Sequence, residues 1–219
     1  MTKPEGAGAA DPREQVVGVI LAGGLSRRMG GGDKSLRPLA GRPIISHVID
    51  RAHDQAAALV LNSNSDPALF AAYGLPVAAD SVAGHAGPLA GVLTGLEWAA
   101  RERPDCPWVA TFACDAPFLP YDLVVRLLAE TEEAGAELAC ATSRGRDHPV
   151  FGLWPVRLKD ALRRALVEEE IRKVDVWTAR YRLARADFPD VATPLGPFDP
   201  FFNANRPEDL AEAERAFAP

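Results

Sequence analysis

The chain of 219 residues is poor in the residue patterns that announce most familiar chemistries. Its three cysteines, Cys106, Cys114 and Cys140, are odd in number and include no C-x-x-C pair. That sets aside a disulfide framework and a thiolate zinc site, and it suits a reducing compartment. Its four histidines, His47, His53, His85 and His148, show neither H-x-x-x-H nor H-E-x-x-H spacing, so a zinc-hydrolase helix is excluded. No apolar run approaches the roughly 20 residues of a membrane helix, and no membrane association is expected. The opening MTKPEGAGAADPRE lacks the apolar stretch of a secretory signal. It reads as a disordered tail over residues 1–14, ahead of a single domain over 15–219, because no Ser/Gly/Pro-rich linker interrupts the rest of the chain. A cytoplasmic location is the expectation. Net charge is −6, which argues against a nucleic-acid partner. Positive charge is local instead: from residue 27 to 42, Arg27, Arg28, Lys34, Arg37 and Arg42 face the single acid Asp33.

The apolar segments alternate in type. Val16 to Leu21 is β-branched enough for a buried strand and runs into LAGGLSRRMGGGDKS. Pro43 suits the first helical position, and Ile44, Ile45, Val48, Ile49 and Ala52 keep helical spacing behind it. Further strands are expected at 58–61, 77–79 and 108–113, with later ones at 137–141 and 150–154. Helices are expected at 67–73, through GPLAGVLTGLEWAAR, and at 122–133. Strands separated by helices predict an α/β fold, a Rossmann-like and mostly parallel sheet flanked by helices with right-handed crossovers. In such sheets ligands bind outside the carboxyl ends of the strands. Gly23, Asn62, Asp80 and Asp115 all fall at such ends and are expected to meet in one crevice.

The glycine-rich loop fails two common phosphate motifs. A Walker A loop would need glycine where Arg28 and Asp33 stand before Lys34-Ser35, and the dinucleotide fingerprint begun at Gly30 would need glycine at Ser35. A dehydrogenase would also want an acid after the second strand, where Asn62 stands. What is left is physical. Glycines let backbone N–H groups approach an anion, and Arg28 and Lys34 supply charge. A merely solvated loop is the alternative. The loop's place directly after a buried strand, in an acidic protein, favours the anion site.

LAGGLSRRMGGGDKSL followed by GRPIISHVIDRA, then VLNSN, AADS, GPLAG, CDAPFLP, RDHPVF and FNANRPEDLAEAE, resembles in order the molybdenum cofactor guanylyltransferases. The likeness covers nearly the whole chain after the tail. It implies the nucleotidyltransferase (nucleotide-diphospho-sugar transferase) type of fold. It also implies transfer of GMP from GTP to molybdopterin or Mo-molybdopterin, releasing pyrophosphate, with Mg²⁺. Carried over residue by residue, it gives Leu21, Ala22, Gly23, Gly24, Lys34, Asn62, Asp80 and Asp115 to the nucleotide. Arg28, Lys34 and Asp115 become catalytic, Asp115 and Asn205 metal ligands, and His148, Asn203 and Asn205 acceptor contacts. A monomer is implied, with transient contact to molybdenum-insertion or molybdoenzyme-maturation proteins. Gly23 within LAGG points to guanine, since cytidylyl-transferring relatives more often resemble LAAG. A relative using CTP or another phosphorylated acceptor, such as a molybdopterin cytidylyltransferase or a sugar-phosphate nucleotidyltransferase, stays open as the alternative, as does a nucleotide-binding regulatory module without catalysis. Two departures stand out: Arg206 replaces a capping threonine, so the last helix is expected to start without a good side-chain cap, and TFACDAP is a loose version of its segment.

The residues suit that chemistry on their own terms. An acceptor that is already a phosphate monoester needs no general base; the difficulty is bringing an anion to a polyanion, so cations and fixed N–H donors are the useful catalysts. Asp115, at a strand's carboxyl end, suits Mg²⁺, which takes one or two carboxylates plus phosphate oxygens. Capping a turn before Pro is an equally good use of an aspartate there, and the resemblance decides for the metal. Asp80 before Ser81 carries the same ambiguity. His148, beside a proline, reads as structural or acceptor-side rather than as a base. Asn203 and Asn205, one residue apart on an extended segment, point to opposite sides, and Asn205 is expected to face metal and acceptor. Glu168–Glu170 reads as a solvated helix face. Trp98, Trp108, Trp154 and Trp177 read as core, with Trp154 also a candidate for a pterin pocket.

Overall fold

The structure is a computed structural model that describes residues 11–23, 33–82 and 87–217. Val16–Leu21 (β1) carries no polar side chain and is buried along almost its whole length. A strand of that kind belongs in the middle of a sheet covered on both faces. β1 pairs in parallel with Ala58–Asn62 on one side and Trp108–Ala113 on the other.

In chain order the strands are β1, Pro38–Leu39 (β2), Arg42–Pro43 (β3), Ala58–Asn62 (β4), Val77–Ala78 (β5), Trp108–Ala113 (β6), Leu138–Ser143 (β7), Arg146–Pro155 (β8), Leu183–Asp187 (β9), Val191–Thr193 (β10) and Gly196–Phe198 (β11). The α-helices are Ile44–Ala52 (α1), Pro88–Glu102 (α2), Leu123–Glu133 (α3), Lys159–Val167 (α4), Val174–Thr178 (α5) and Pro207–Phe217 (α6). Pro67–Tyr73, expected as a short helix, is a 3₁₀ helix. The main sheet runs β5-β4-β1-β6-β8-β7-β9. All its strands are parallel except β8, which is antiparallel to both β6 and β7.

That reversal departs from the alternation read in the sequence. No helix separates β7 from β8. Ser143 pairs with Arg146 across the two residues Arg144 and Gly145, both at positive φ (50° and 72°). Two left-handed residues in a two-residue loop make a hairpin turn, so the chain doubles back instead of crossing over. β8 is also twice the expected length, with ten residues.

One core, holding Ile45, Val48, Leu123, Leu127, Phe151 and Phe201, fills the α1/α3 face of the sheet. A second, holding Leu89, Leu93, Leu96, Leu162, Trp154 and Trp177, fills the α2/α4 face. A third joins Leu39, Ile44, Phe118 and Phe198 to Ala213 and Ala216, and so docks α6. α2 lies so close to β1 that a Cβ at Gly95 would come within 2.4 Å of Val19 Cγ2.

Pro12–Gln15 forms a 3₁₀ turn with Asp11 capping Arg13 N–H, so a tail boundary after residue 14 falls inside an ordered turn. The rest of that tail, residues 1–10, lies outside the described residues. α4 ends at Val167, and Glu170 has φ 53°. Glu168–Glu170 therefore terminates the helix instead of lining its face, and Glu169 pairs with Arg180. All three cysteines are buried free thiols.

Candidate active site

The strand register sets out the site before any side chain is considered. Ala78, Asn62, Leu21 and Ala113 lie side by side across β5, β4, β1 and β6. The ladder continues one step past the strands: Ala22 N–H donates to Asn62 O (2.8 Å) and Ser63 N–H to Ala78 O (3.1 Å). Strand order reverses between β1 and β6, which places a crevice at their carboxyl ends. A cavity of about 410 Å³ opens there, lined among others by Leu21, Gly23, Lys34, Asn62, Asp80, Asp115, Asn203 and Asn205.

One end of the cavity is built around Asp115, just past β6 and only 7% exposed. Asp33 starts the 3₁₀ turn Lys34–Leu36 by accepting from Ser35 N–H (3.0 Å) and Ser35 Oγ (2.7 Å). That capped turn aims Lys34 inward. Its ammonium donates to Asp115 Oδ2 and to Asn205 Oδ1 (2.8 Å), joining residues 81 and 171 positions apart in sequence. Burial works against the charge on Lys34. The Asp115 carboxylate, by charge and by hydrogen bond, outweighs it with help from Asp33, and the ammonium pKa ends up raised. Burial, with the neighbouring Asp115 charge, pushes the Cys114 thiol well up. It stays protonated at neutral pH.

Asn203 and Asn205 both line this end, against the expectation that they point to opposite sides, because the segment is not extended: Asn205 N–H donates to Asn203 O (3.0 Å), and the chain before α6 is pinned from both sides. Ala204 N–H donates to Asp115 O (3.0 Å). Asp209 accepts from Asn205 N–H (3.0 Å) and Arg206 N–H (2.8 Å). Asp209 thus reaches back from the first turn to the Arg206 N–H, as in one half of a capping box, and ties down a helix start where Arg206 was expected to offer no side-chain cap.

The other end is built around Asp80. Asn62, 3% exposed at the last position of β4, donates through Nδ2 to Ala78 O (3.1 Å) and Asp80 Oδ1 (2.9 Å). Asn64 donates to Asp80 Oδ2 (2.8 Å) and accepts from Asp80 N–H (2.8 Å). α2 is entered through Gly87, which also lines the cavity, at φ 71° and ψ −161°, a backbone conformation open essentially only to glycine. Gly91 leaves room for this end: a Cβ there would lie 2.4 Å from Asn62 Oδ1 and 2.6 Å from Leu21 Cδ2.

The sequence-derived set is thus brought together in large part. Ala22 is buried between Leu21 and Gly23, where the β1 ladder runs out. Gly24 and Arg28 lie outside the described residues. His148 stands apart from the cavity wall. Its Nε2 is 2.7 Å from Ser143 Oγ, which donates to Asp199 Oδ1 (2.8 Å), and its ring packs on Phe201 (4.7 Å between centroids). Trp154 is enclosed in the α2/α4 core, where Nε1 donates to Thr111 Oγ1 (2.9 Å), and lines no pterin pocket. Asn64 was missed by sequence reasoning; its only signal is its place in VLNSN, two residues beyond Asn62.

Among the described residues, no three His, Cys, Asp or Glu side chains cluster as a metal cage. Asp115 and Asn205 instead present a carboxylate and an amide carbonyl, both hard oxygens, already gathered around a cation. That donor set fits Mg²⁺, which keeps waters and completes its shell with substrate phosphate.

A family model described as a MobA-like NTP transferase domain matches residues 18–182. A molybdenum cofactor guanylyltransferase of Rhodopseudomonas palustris (strain BisB5) is 57% identical, over 90% of this chain and 91% of its own. Among solved structures, molybdopterin-guanine dinucleotide biosynthesis protein A from Archaeoglobus fulgidus superposes with a TM-score of 0.68 at 24% identity, covering 91% of this chain and 96% of its own. Rv0371C of Mycobacterium tuberculosis, described in complex with manganese, gives 0.64 at 17% identity, covering 91% and 97%. At those identities the two structures speak for the fold alone.

Proposed function

The chain belongs to the molybdenum cofactor guanylyltransferases, and from that premise we propose how its cavity carries out the reaction. The enzyme transfers GMP from GTP to Mo-molybdopterin, forming molybdopterin guanine dinucleotide and pyrophosphate. A phosphate oxygen of the acceptor attacks the α-phosphorus, and the bond from that phosphorus to the β-phosphate oxygen breaks. Negative charge grows on the departing pyrophosphate, so the residues that matter are cations and fixed donors.

Lys34 carries this role. Its ammonium, held between Asp115 and Asn205, is the observation on which the reading rests. It is charged at neutral pH and lies at the end of the cavity where the β6 edge meets the closing segment. Arg28, one of the cations of the glycine loop, is its proposed companion. Asp115 and Asn205 would hold Mg²⁺, which when bound neutralises phosphate charge and orients the triphosphate. Leu21 to Gly24, Asn62 and Asp80 receive the nucleoside, and Asn203 lies toward the acceptor. His148 acts behind the wall, through Ser143 and Asp199, and not as a proton carrier.

No described helix is long and apolar enough to cross a membrane. A cytoplasmic monomer that meets molybdenum-insertion or molybdoenzyme-maturation proteins transiently is the accompanying proposal. The test is pyrophosphate release from GTP plus molybdopterin, with CTP as comparison. GTP should be used at least tenfold better; preference for CTP would overturn the guanylyl reading.

A further inference from the structure

Asn64 takes no part in the chemistry above, yet it closes a ring on Asp80. Its amide nitrogen donates to Asp80 Oδ2 and its carbonyl accepts from Asp80 N–H, while Asn62 donates to Asp80 Oδ1. Each carboxylate oxygen therefore has one amide donor. A free aspartate turns broadly about its terminal torsion; this one is held at three points.

Neutral amides also leave the carboxylate its charge. Two oxygens offer about four lone-pair sites, so at least one on each remains for a ligand in the cavity that Asp80 lines.

The spacing of the sheet says which part of a nucleotide arrives there. Asp80 follows β5 and Asp115 follows β6, with β4 and β1 between them. Strands are about 4.8 Å apart, so the two carboxylates stand roughly 14 Å apart along the edge. With phosphates at the Lys34 end, the base lies at the Asp80 end. Guanine presents two adjacent donors, N1–H and N2–H. Adenine and cytosine pair one donor with one acceptor, and that acceptor would face a carboxylate lone pair.

We infer that Asn64 is a positioning residue for base selection: with Asn62 it holds the Asp80 carboxylate in the orientation that accepts from the N1–H and N2–H edge of guanine. The inference rests on the proposed reading of Asp80 as a nucleotide contact.

The test uses the full chain without acceptor and measures dissociation constants for GTP and for inosine triphosphate, which lacks only the N2 amino group. Thermal melting checks each variant. Wild type should favour GTP by about 10- to 100-fold, the range that one hydrogen bond to a charged group covers. Asn64→Ala should reduce that preference to less than about threefold, with GTP losing several-fold more affinity than inosine triphosphate, which has only the N1–H contact to lose. Asp80→Asn, which keeps shape but turns one acceptor into a donor, should abolish it. A purely structural role would instead weaken both nucleotides by the same factor and keep their ratio, and that result would overturn the inference. A wild-type preference that survives in Asn64→Ala overturns it too, leaving the Asp80 reading intact. Equal wild-type affinities overturn both.

Discussion

Asp80 and Asp115 end strands of the same sheet at the same edge, yet they are held by opposite means. Asp80 is gripped by two neutral amides from a single segment, Asn62 to Asn64, sixteen to eighteen residues away. Asp115 is gripped by an ammonium delivered from another turn and shared with Asn205, a residue from the far end of the chain. An amide fixes direction and leaves the charge untouched. An ammonium neutralises the charge and can be exchanged for another cation. The first arrangement suits recognition of a shape, and the second suits a site that must accept metal and phosphate in turn.

The largest effect should come from breaking the Asp115 end. Lys34→Ala and Asp115→Asn should each lower kcat by about 10²- to 10³-fold, as loss of one preorganised charged group commonly does. The GTP dissociation constant should change far less, and melting should show a folded chain. Activity within a few-fold of wild type would remove the residue from the mechanism.

Next in size is crowding of the Asp80 end. Gly91→Ala would drive a methyl group into Asn62 and Leu21, and GTP affinity should fall about tenfold or more if the ~1–3 kcal/mol cost of overpacking is met by displacing Asn62. Gly95→Ala, whose added methyl would have Val19 atoms as its three nearest neighbours, serves as the control. It should cost similar stability and leave GTP affinity alone. Equal losses of affinity in both would mean that Gly91 matters only for helix packing.

A smaller effect probes the exchange of cations at Asp115. In the absence of nucleotide, Lys34→Ala should bind Mn²⁺ a few-fold more tightly than wild type, because the ammonium no longer occupies the Asp115 and Asn205 oxygens. Isothermal titration reads this directly. Weaker binding in the variant would show that Lys34 supports the ligands and does not compete for them.

The smallest effect lies behind the site. Burial holds the His148 pKa below its ordinary value, against the pull of Asp199 and Asp147 and with Arg146 acting alongside. The folded state therefore binds fewer protons here than the unfolded one, and stability falls as pH drops below about 6.5, the unfolded value. Between pH 7.5 and 5.5 the melting temperature of wild type should fall by roughly 1–2 °C more than that of His148→Gln, which keeps a donor for Ser143. Parallel curves would deny His148 this role.

Where the chain follows one periodicity at a time, the sequence was readable. β1, α1, α2 and β6 stand within a residue or so of their expected bounds, because each is a long apolar run closed by glycine, proline or aspartate. The convergence of Gly23, Asn62, Asp80 and Asp115 was also readable, since parallel strands put their carboxyl ends on one edge. The reversal of β8 was not, because it depends on Arg144 adopting a left-handed conformation that its side chain does not announce. β9, α4 and α5 are short or amphipathic segments that tertiary packing selects. Asp209 capping α6 and Asn64 clamping Asp80 are bonds between positions that periodicity does not connect. His148 beside proline read as structural or acceptor-side, and only the fold shows Phe201 against its ring.

The division of the cavity into a base end and a phosphate end is tested most directly by a crossed measurement on Asp80→Asn and Asp115→Asn. For each, the ratio of inosine triphosphate to GTP dissociation constants is measured alongside turnover at saturating GTP. Asp80→Asn should collapse the ratio toward one and keep substantial turnover, while Asp115→Asn should retain the wild-type ratio and lose turnover. If Asp115→Asn collapses the ratio as fully as Asp80→Asn does, the cavity has no separate base and phosphate ends, and the division is refuted.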